Sequence, residues 1–333
     1  MSFVIDSSDW CFEGLSNSKI TEILELFLER LALAKEREEP FFFGNDIQIK
    51  KVCGDMDLWT YLYSEKSVDI DIDIKNELIG YFNTGSFYED IESSWPPYFL
   101  EEIVTDFFGN AVHLDYSFVY YNLINHIPFA CLSLFEKQQF QMTSIHGQAE
   151  VYFVNSEESN RIFWRKYALQ VARDTKHNLQ ILSKHLYPNL YFHNDIWDGI
   201  NSFEGGYSAV YVKLQKYLAI FNDYGKWIFM TPPPAIHHSD TVVPTLDVTP
   251  TNELIEERFQ ALGITVAPEN PDVRRNEKCR KEREIVIDKK THYCEWHGKI
   301  EPHQNRIHVH APTKESKEKF IVAIFCKHLG LPR

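Results

Sequence analysis

Cys294-Glu295-Trp296-His297-Gly298-Lys299, then Arg306-Ile307-His308-Val309-His310, then Phe320-Ile321-Val322-Ala323-Ile324-Phe325-Cys326 is the stretch that decides the fold class. The first two segments alternate apolar and polar residues, which is the pattern of strands. Cys294, Trp296, Gly298 and Ile300 fall on one face, and Glu295, His297 and Lys299 on the other. Arg306, His308 and His310 share a face of the next strand. A small antiparallel β-rich domain is therefore expected at the C-terminus. Ile285 to Asp288 is read as continuing through Cys294 to His297 as its first strand.

Upstream, helical patterns dominate. Ile20, Ile23, Leu24, Phe27, Leu28, Leu31 and Leu33 follow helical spacing over Ser18 to Glu39, with Pro40 as the stop. Glu157 to Arg173, Tyr207 to Asn222 and Asn252 to Leu262 read as further helices. Ile47 to Val52 and Gln148 to Val154 read as strands, and Trp95-Pro96-Pro97 as a turn. Val68 to Ile74 alternates, either as a strand or as an extended lead-in to a helix over Lys75 to Phe82. Thr231-Pro232-Pro233-Pro234 and the residues to 250 read as a linker. The expectation is an α+β protein: a large mixed body over 1–230, a Pro-rich linker over 231–250, and a helix-plus-sheet domain over 251–333.

Charge follows this division. Residues 267–333 hold 15 Lys and Arg against 10 Asp and Glu, which leaves 19 against 38 in the rest of the chain. An acidic body repels a polyanion, so any contact with nucleic acid is assigned to the C-terminal part, where Arg274, Arg275, Lys289 and Lys290 are the candidate residues. The acidic body, rich in aromatic residues with 24 Phe and 17 Tyr in the chain, suits a protein partner. No apolar run reaches the length of a membrane span, and Met1 to Asp6 lacks the features of a signal peptide. Six scattered Cys residues without framework spacing point to reduced thiols and a cytoplasmic protein.

Two chemistries suit the C-terminal cluster. In metal-free RNA cleavage, His297 and His308 supply the acid and base, while Lys299 and Arg306 offset phosphate charge. In a zinc site, Cys294 and His297 form one half, completed from His303, His308 and His310. A half-buried hairpin with one polar face fits the same alternation without any chemistry. Asp55-x-Asp57 and Asp69-x-Asp71-x-Asp73 offer oxygen ligands but lack the Gly and closing Glu of a calcium loop. Capping residues or a solvated strand face account for them more simply. No phosphate-loop, dinucleotide, nucleophile-elbow or zincin signature is present.

Trp296-His297-x-Lys299, Asn305-Arg306-Ile307-His308-Val309 and Ile321 to Leu329 resemble the closing sheet of small bacterial RelE/ParE-like toxin folds, over roughly residues 267–333. In those folds antiparallel strands carry basic and His residues toward RNA. The resemblance implies a nucleic-acid-directed effector, an RNase-like toxin or phage-defence component, with no required cofactor. The N-terminal body departs from that family. The whole chain is also similar to bacterial proteins of accessory and phage-defence loci, where a non-catalytic interaction subunit of a multi-protein system is the alternative.

Overall fold

The computed structural model describes residues 2–91, 104–241 and 248–332. Trp95-Pro96-Pro97 lies outside the described residues. The chain is α+β and divides into two compact units, Met1–Asp174 and Thr175–Arg333.

The first unit is built on five parallel strands. They are β1 (Ser2–Ile5), β2 (Phe41–Phe43), β3 (Ser86–Phe87), β4 (Phe129–Leu132) and β5 (Phe153–Val154), in the spatial order β5-β4-β1-β2-β3. The chain builds outward from β1 to β2 and β3. It then returns to the other side of β1 to lay down β4 and β5, so the order reverses between β1 and β4. Every residue of β1 and β4 is buried, as a parallel sheet covered on both faces requires. Helices α1 (Asn17–Glu36), α2 (Ile72–Thr84) and α3 (Leu114–Ile124) make the connections. The capping side chains are Ser16 for α1 and Asp71 for α2. The alternation of residues 68–74 is thus the lead-in to a helix.

Two expected strands differ. Asn45–Gln48 is a helical turn, and pairing begins at Lys51. The single strand expected over 148–154 is two, Gly147–Val151 in an antiparallel meander and β5 in the parallel sheet.

The second unit carries β6 (Leu190–Phe192), β7 (Val266–Pro268), β8 (Trp296–Lys299), β9 (Arg306–His310) and β10 (Phe320–Cys326), in the order β6-β10-β9-β8-β7. Only the β6–β10 pair is parallel. Residues 284–297 do not run as one strand. Glu284–Ile287 and Lys290–Tyr293 pair as a hairpin, turned by Asp288 and Lys289 at positive φ.

The units part at Asp174, ahead of the Pro-rich segment, because the helices and strand before that segment belong to the second sheet. Helix α4 (Gly206–Met230) packs on that sheet. The Tyr217 hydroxyl donates to Lys299 O at 2.7 Å and accepts from Thr265 N–H at 3.1 Å. The Pro-rich segment is anchored too. Buried Arg258 of α5 (Asn252–Ala261) donates to the carbonyls of Ile228, Pro232 and Ala235.

Gly298 lets α4 approach β8: a Cβ there would stand 2.9 Å from the Tyr217 ring. Gly298→Val is expected to destabilise the second unit by about 1–3 kcal/mol, the usual cost of overpacking. An unchanged urea midpoint for that unit would contradict this packing.

Candidate metal centre

Ligand sites of open parallel sheets lie beyond the carboxyl ends of the strands, where the strand order reverses. Here that point follows Ile5 and Leu132. Asp6, Ser7, Ser8 and Asp9 come directly after β1. Gly44-Asn45-Asp46 follows β2, and His113 caps α3 with Asp115 in its first turn. The five-residue step from Leu132 brings in Lys137. Four carboxylates thus converge from three separate segments.

Asp115 is fully buried and held by four donors. Ser7 N–H and Oγ reach its Oδ2 at 2.9 and 2.6 Å, the Tyr88 hydroxyl reaches Oδ1 at 2.7 Å, and His113 Nδ1 stands 3.2 Å from Oδ2. The other ring nitrogen, Nε2, lies 2.9 Å from Asp46 Oδ2. Hydrogen bonding to Asp115 and Asp46 raises the His113 pKa to about 10, so the ring is a cation between two anions. In that state Nδ1 donates to the carboxylate, and the Asp115 N–H 3.3 Å from it gains no acceptor there. His113 in turn holds the Asp46 carboxyl below its ordinary range. Burial raises the pKa of the Tyr88 phenol, with Asp115 adding to the effect, so it serves as a donor.

A second carboxylate pair lies beside the first. Lys137 bridges Asp6, at 2.6 Å, and Asp9. Burial lowers the affinity of Lys137 for its proton, but Asp6 and Asp9 more than offset this. Burial and the neighbouring Asp9 raise the Asp6 pKa. The Tyr116 hydroxyl and Ser8 Oγ complete the Asp6 shell at 2.9 and 2.6 Å. Lys50 donates to Ser7 O at 2.7 Å and adds positive charge near Asp46.

The two pairs differ in what they could still bind. The Asp6–Asp9 pair already holds a cation, Lys137. Asp46, His113 and Asp115 each place one ligand atom within 4.8 Å of the others, and they form the one such group of three among the described residues. Asp46 Oδ1 is buried without a hydrogen-bond partner, while the Asp46 side chain as a whole is 44% exposed, so the group opens to solvent on that side. Gly44 keeps the space clear: a Cβ there would meet Asp115 Oδ1 at 2.6 Å and the Tyr88 hydroxyl at 2.7 Å. Two carboxylates and an imidazole suit Mn²⁺, Fe²⁺ or Zn²⁺ better than Mg²⁺. A divalent ion replacing the His113 proton would add one positive charge among Asp46, Asp115 and the neighbouring Glu89.

The C-terminal residues are placed differently. His297 pairs across the strands with His308, and Lys299 with Arg306, so one face does carry all four. On that face His308 and Arg306 are buried, while His297 and Lys299 are half-buried. His308 is 2% exposed, and Arg306 donates to the carbonyls of Glu301, Pro302 and Gln304 at the β8–β9 turn. Both imidazoles face buried Glu269, with their Nδ1 atoms 3.4 and 3.5 Å from its Oε1, and Arg283 is ion-paired to the same oxygen at 2.8 Å.

The alternative zinc ligands are not gathered into a group of three. Cys294 is buried, and its thiol is pushed up to about 12 by that burial. His303 is exposed, and His310 lies against Ala311 O and the His292 ring. Arg274, Arg275, Lys289 and Lys290 are all exposed; Arg275 pairs with Asp272 and Lys290 with Glu315. Asp57 and Asp71 are helix caps, and Asp69 accepts from Asn17.

Sequence reasoning missed Asp6, Asp9, Asp46, His113 and Asp115. The available signal was polar residues directly after short apolar runs, Phe3-Val4-Ile5 and Phe41-Phe42-Phe43. It becomes informative only once those runs are known to pair in parallel.

No protein-family model, curated protein or solved structure matches the chain. Among the described residues no helix is long and apolar enough to cross a membrane.

The buried His308–Glu269 cluster predicts an acid response of the second unit. Burial depresses His308 to about 3, so the stability from its neutral ring is complete above pH 6.5 and is lost as pH falls toward 3. Burial opposes ionisation of Glu269, but His297 and Arg283 outweigh it and hold the carboxyl at about 2. Its contribution is present above 4.5 and is lost toward pH 2. Between pH 6.5 and 4.5 the second unit should lose roughly 1 kcal/mol per pH unit. His308→Leu should flatten that slope in urea titrations, and an equal slope in both proteins would refute the assignment.

Proposed function

We propose that the chain is a divalent-cation-dependent hydrolase of nucleic-acid phosphodiesters, with its chemistry at Asp46, His113 and Asp115. The observation that carries this reading is the gathering of those three ligand atoms at the reversal point of a parallel sheet. A bound divalent ion would supply Lewis acidity, polarising a phosphoryl oxygen and strengthening water as a nucleophile near neutral pH. Asp115, fixed by Ser7 and Tyr88, would hold its position during turnover. Lys50 would supply positive potential for the phosphate.

A serine-nucleophile mechanism fits less well. Ser7 Oγ donates to Asp115 at 2.6 Å and lies 3.4 Å from His113 Nε2, but the imidazole is already protonated and cannot take its proton. The exposed cations Arg274, Arg275, Lys289 and Lys290 of the second unit would offer a polyanion a separate contact. The proposed setting is a bacterial toxin or phage-defence system, as the RelE/ParE-like resemblance implies.

The alternative of a non-catalytic interaction subunit draws on one feature. Phe107 and Phe108 are 81% and 84% exposed, with ring centroids 5.6 Å apart.

Cleavage of labelled single-stranded RNA and DNA with added Mn²⁺ separates these readings. Asp46→Asn and Asp115→Asn should each lose at least about 100-fold in rate. The His297→Ala/Arg306→Ala double variant should keep its activity if it stays folded. Loss of cleavage in the double variant alone, with both Asn variants active, would return the chemistry to the C-terminal sheet. No cleavage by the unmodified protein would favour the interaction subunit.

A further inference from the structure

A cleft of about 500 Å³ lies within the second unit, where α4 meets the end of β8 and the residues leading into edge strand β7. Lys213 and Lys216 stand three residues apart on α4, so they share one face of that helix. Lys299, the last residue of β8, lines the cleft with them. The Tyr217 hydroxyl, bonded to Lys299 O and Thr265 N–H, fixes α4 against the sheet at this point. The cleft is therefore formed before any ligand arrives.

What it offers a ligand is mainly donors. Its acceptors are largely taken. Gly263 O accepts from Lys216 Nζ at 2.7 Å, Thr265 O from Lys299 N–H at 2.9 Å, and Lys299 O from Tyr217. Glu301 O and Pro302 O accept from Arg306. The Glu301 carboxylate accepts from Gln304 and Asn305 at 2.9 and 3.1 Å. By contrast, Lys213 and Lys299 make no side-chain hydrogen bond or ion pair among the described residues, although Lys299 is half-buried. Two uncommitted ammonium groups on one concave wall point to an anion.

Charge and size narrow its class. Lys213, Lys216 and Lys299 against Glu301 leave a surplus of two positive charges. A phosphate monoester carries about −1.5 to −2 on three oxygens around one centre, whereas a carboxylate carries a single charge on two. The three flexible lysine stems can converge on one such group. The volume is in the range of small-molecule sites and larger than a bare phosphate needs. Ile264, Ile300 and Pro302 supply apolar wall for the remainder.

We propose that this cleft binds a small organic phosphate monoester, with the phosphate held by Lys213, Lys216 and Lys299. The site stands apart from the Asp46–His113–Asp115 centre and does not rest on the hydrolase reading.

The test is titration calorimetry of the full chain with phenyl phosphate, inorganic phosphate and succinate in metal-free buffer, where the acidic centre repels all three. Phenyl phosphate should bind more tightly than inorganic phosphate and at least about tenfold more tightly than succinate. Lys213→Gln and Lys299→Gln should each weaken it about tenfold or more, the loss of one charge-assisted hydrogen bond. Lys213 is exposed, so its variant reads the site without disturbing the fold. No binding of phenyl phosphate, equal binding of succinate, inorganic phosphate bound as tightly as the ester, or an affinity unchanged in both variants would overturn the site.

Discussion

Keeping four carboxylates charged at the carboxyl end of a parallel sheet is the constraint on which the first unit depends. Asp6 and Asp115 are fully buried and Asp9 nearly so, a cost of several kcal/mol per ion unless each is paired and hydrogen-bonded. The chain meets that cost with two cations and a set of hydroxyls. Lys137 joins Asp6 to Asp9, His113 joins Asp46 to Asp115, and Ser7, Ser8, Tyr88 and Tyr116 fill the remaining acceptor positions. These cations are not equivalent. The lysine stands on a flexible stem among groups that satisfy it. The histidine can give up its proton and offer a ligand atom, so that pair alone can exchange a proton for an ion.

The second unit meets a similar problem with a different outcome. Glu269 is buried among Arg283, His297 and His308, and its charge is matched by one permanent cation. His308 stays in the interior with neither ring nitrogen in a hydrogen bond, its Nδ1 3.5 Å from Glu269. Arg306 is spent on the β8–β9 turn, and buried Asn305 at positive φ ties that turn to Glu204. This is a structural use of residue types that also perform catalysis, which explains how a cluster so dense in titratable groups sits inside the fold.

That contrast marks what the sequence made legible. Helix α1 was readable because its apolar spacing reports one buried face. The β8–β9 hairpin was readable from its alternation, which put His297 with Lys299 and Arg306 with His308 on shared faces, while the pairing of His297 with His308 is seen in the structure alone. Alternation reports which residues share a face and is silent on whether that face meets water or other protein. Strand continuity was over-read at Asp288-Lys289, where the apolar pattern persists through a turn, and at Tyr152, where the chain passes from one sheet to another. The linker reading relied on a local proline signal, while the segment's anchor is Arg258, more than twenty residues away in the chain. The centre was hidden for the same reason. Ser2–Ile5 pairs with Phe129–Leu132, and no local pattern announces a parallel partner at that distance.

The central claim is that Asp46, His113 and Asp115 hold a divalent ion. The most direct measurement is anomalous diffraction from crystals grown or soaked with Mn²⁺. The account predicts one strong anomalous peak bounded by Asp46, His113 Nε2 and Asp115, at ligand distances near 2.1–2.3 Å. Manganese absent from that position, with the His113 ring still placed between the two carboxylates, would contradict it.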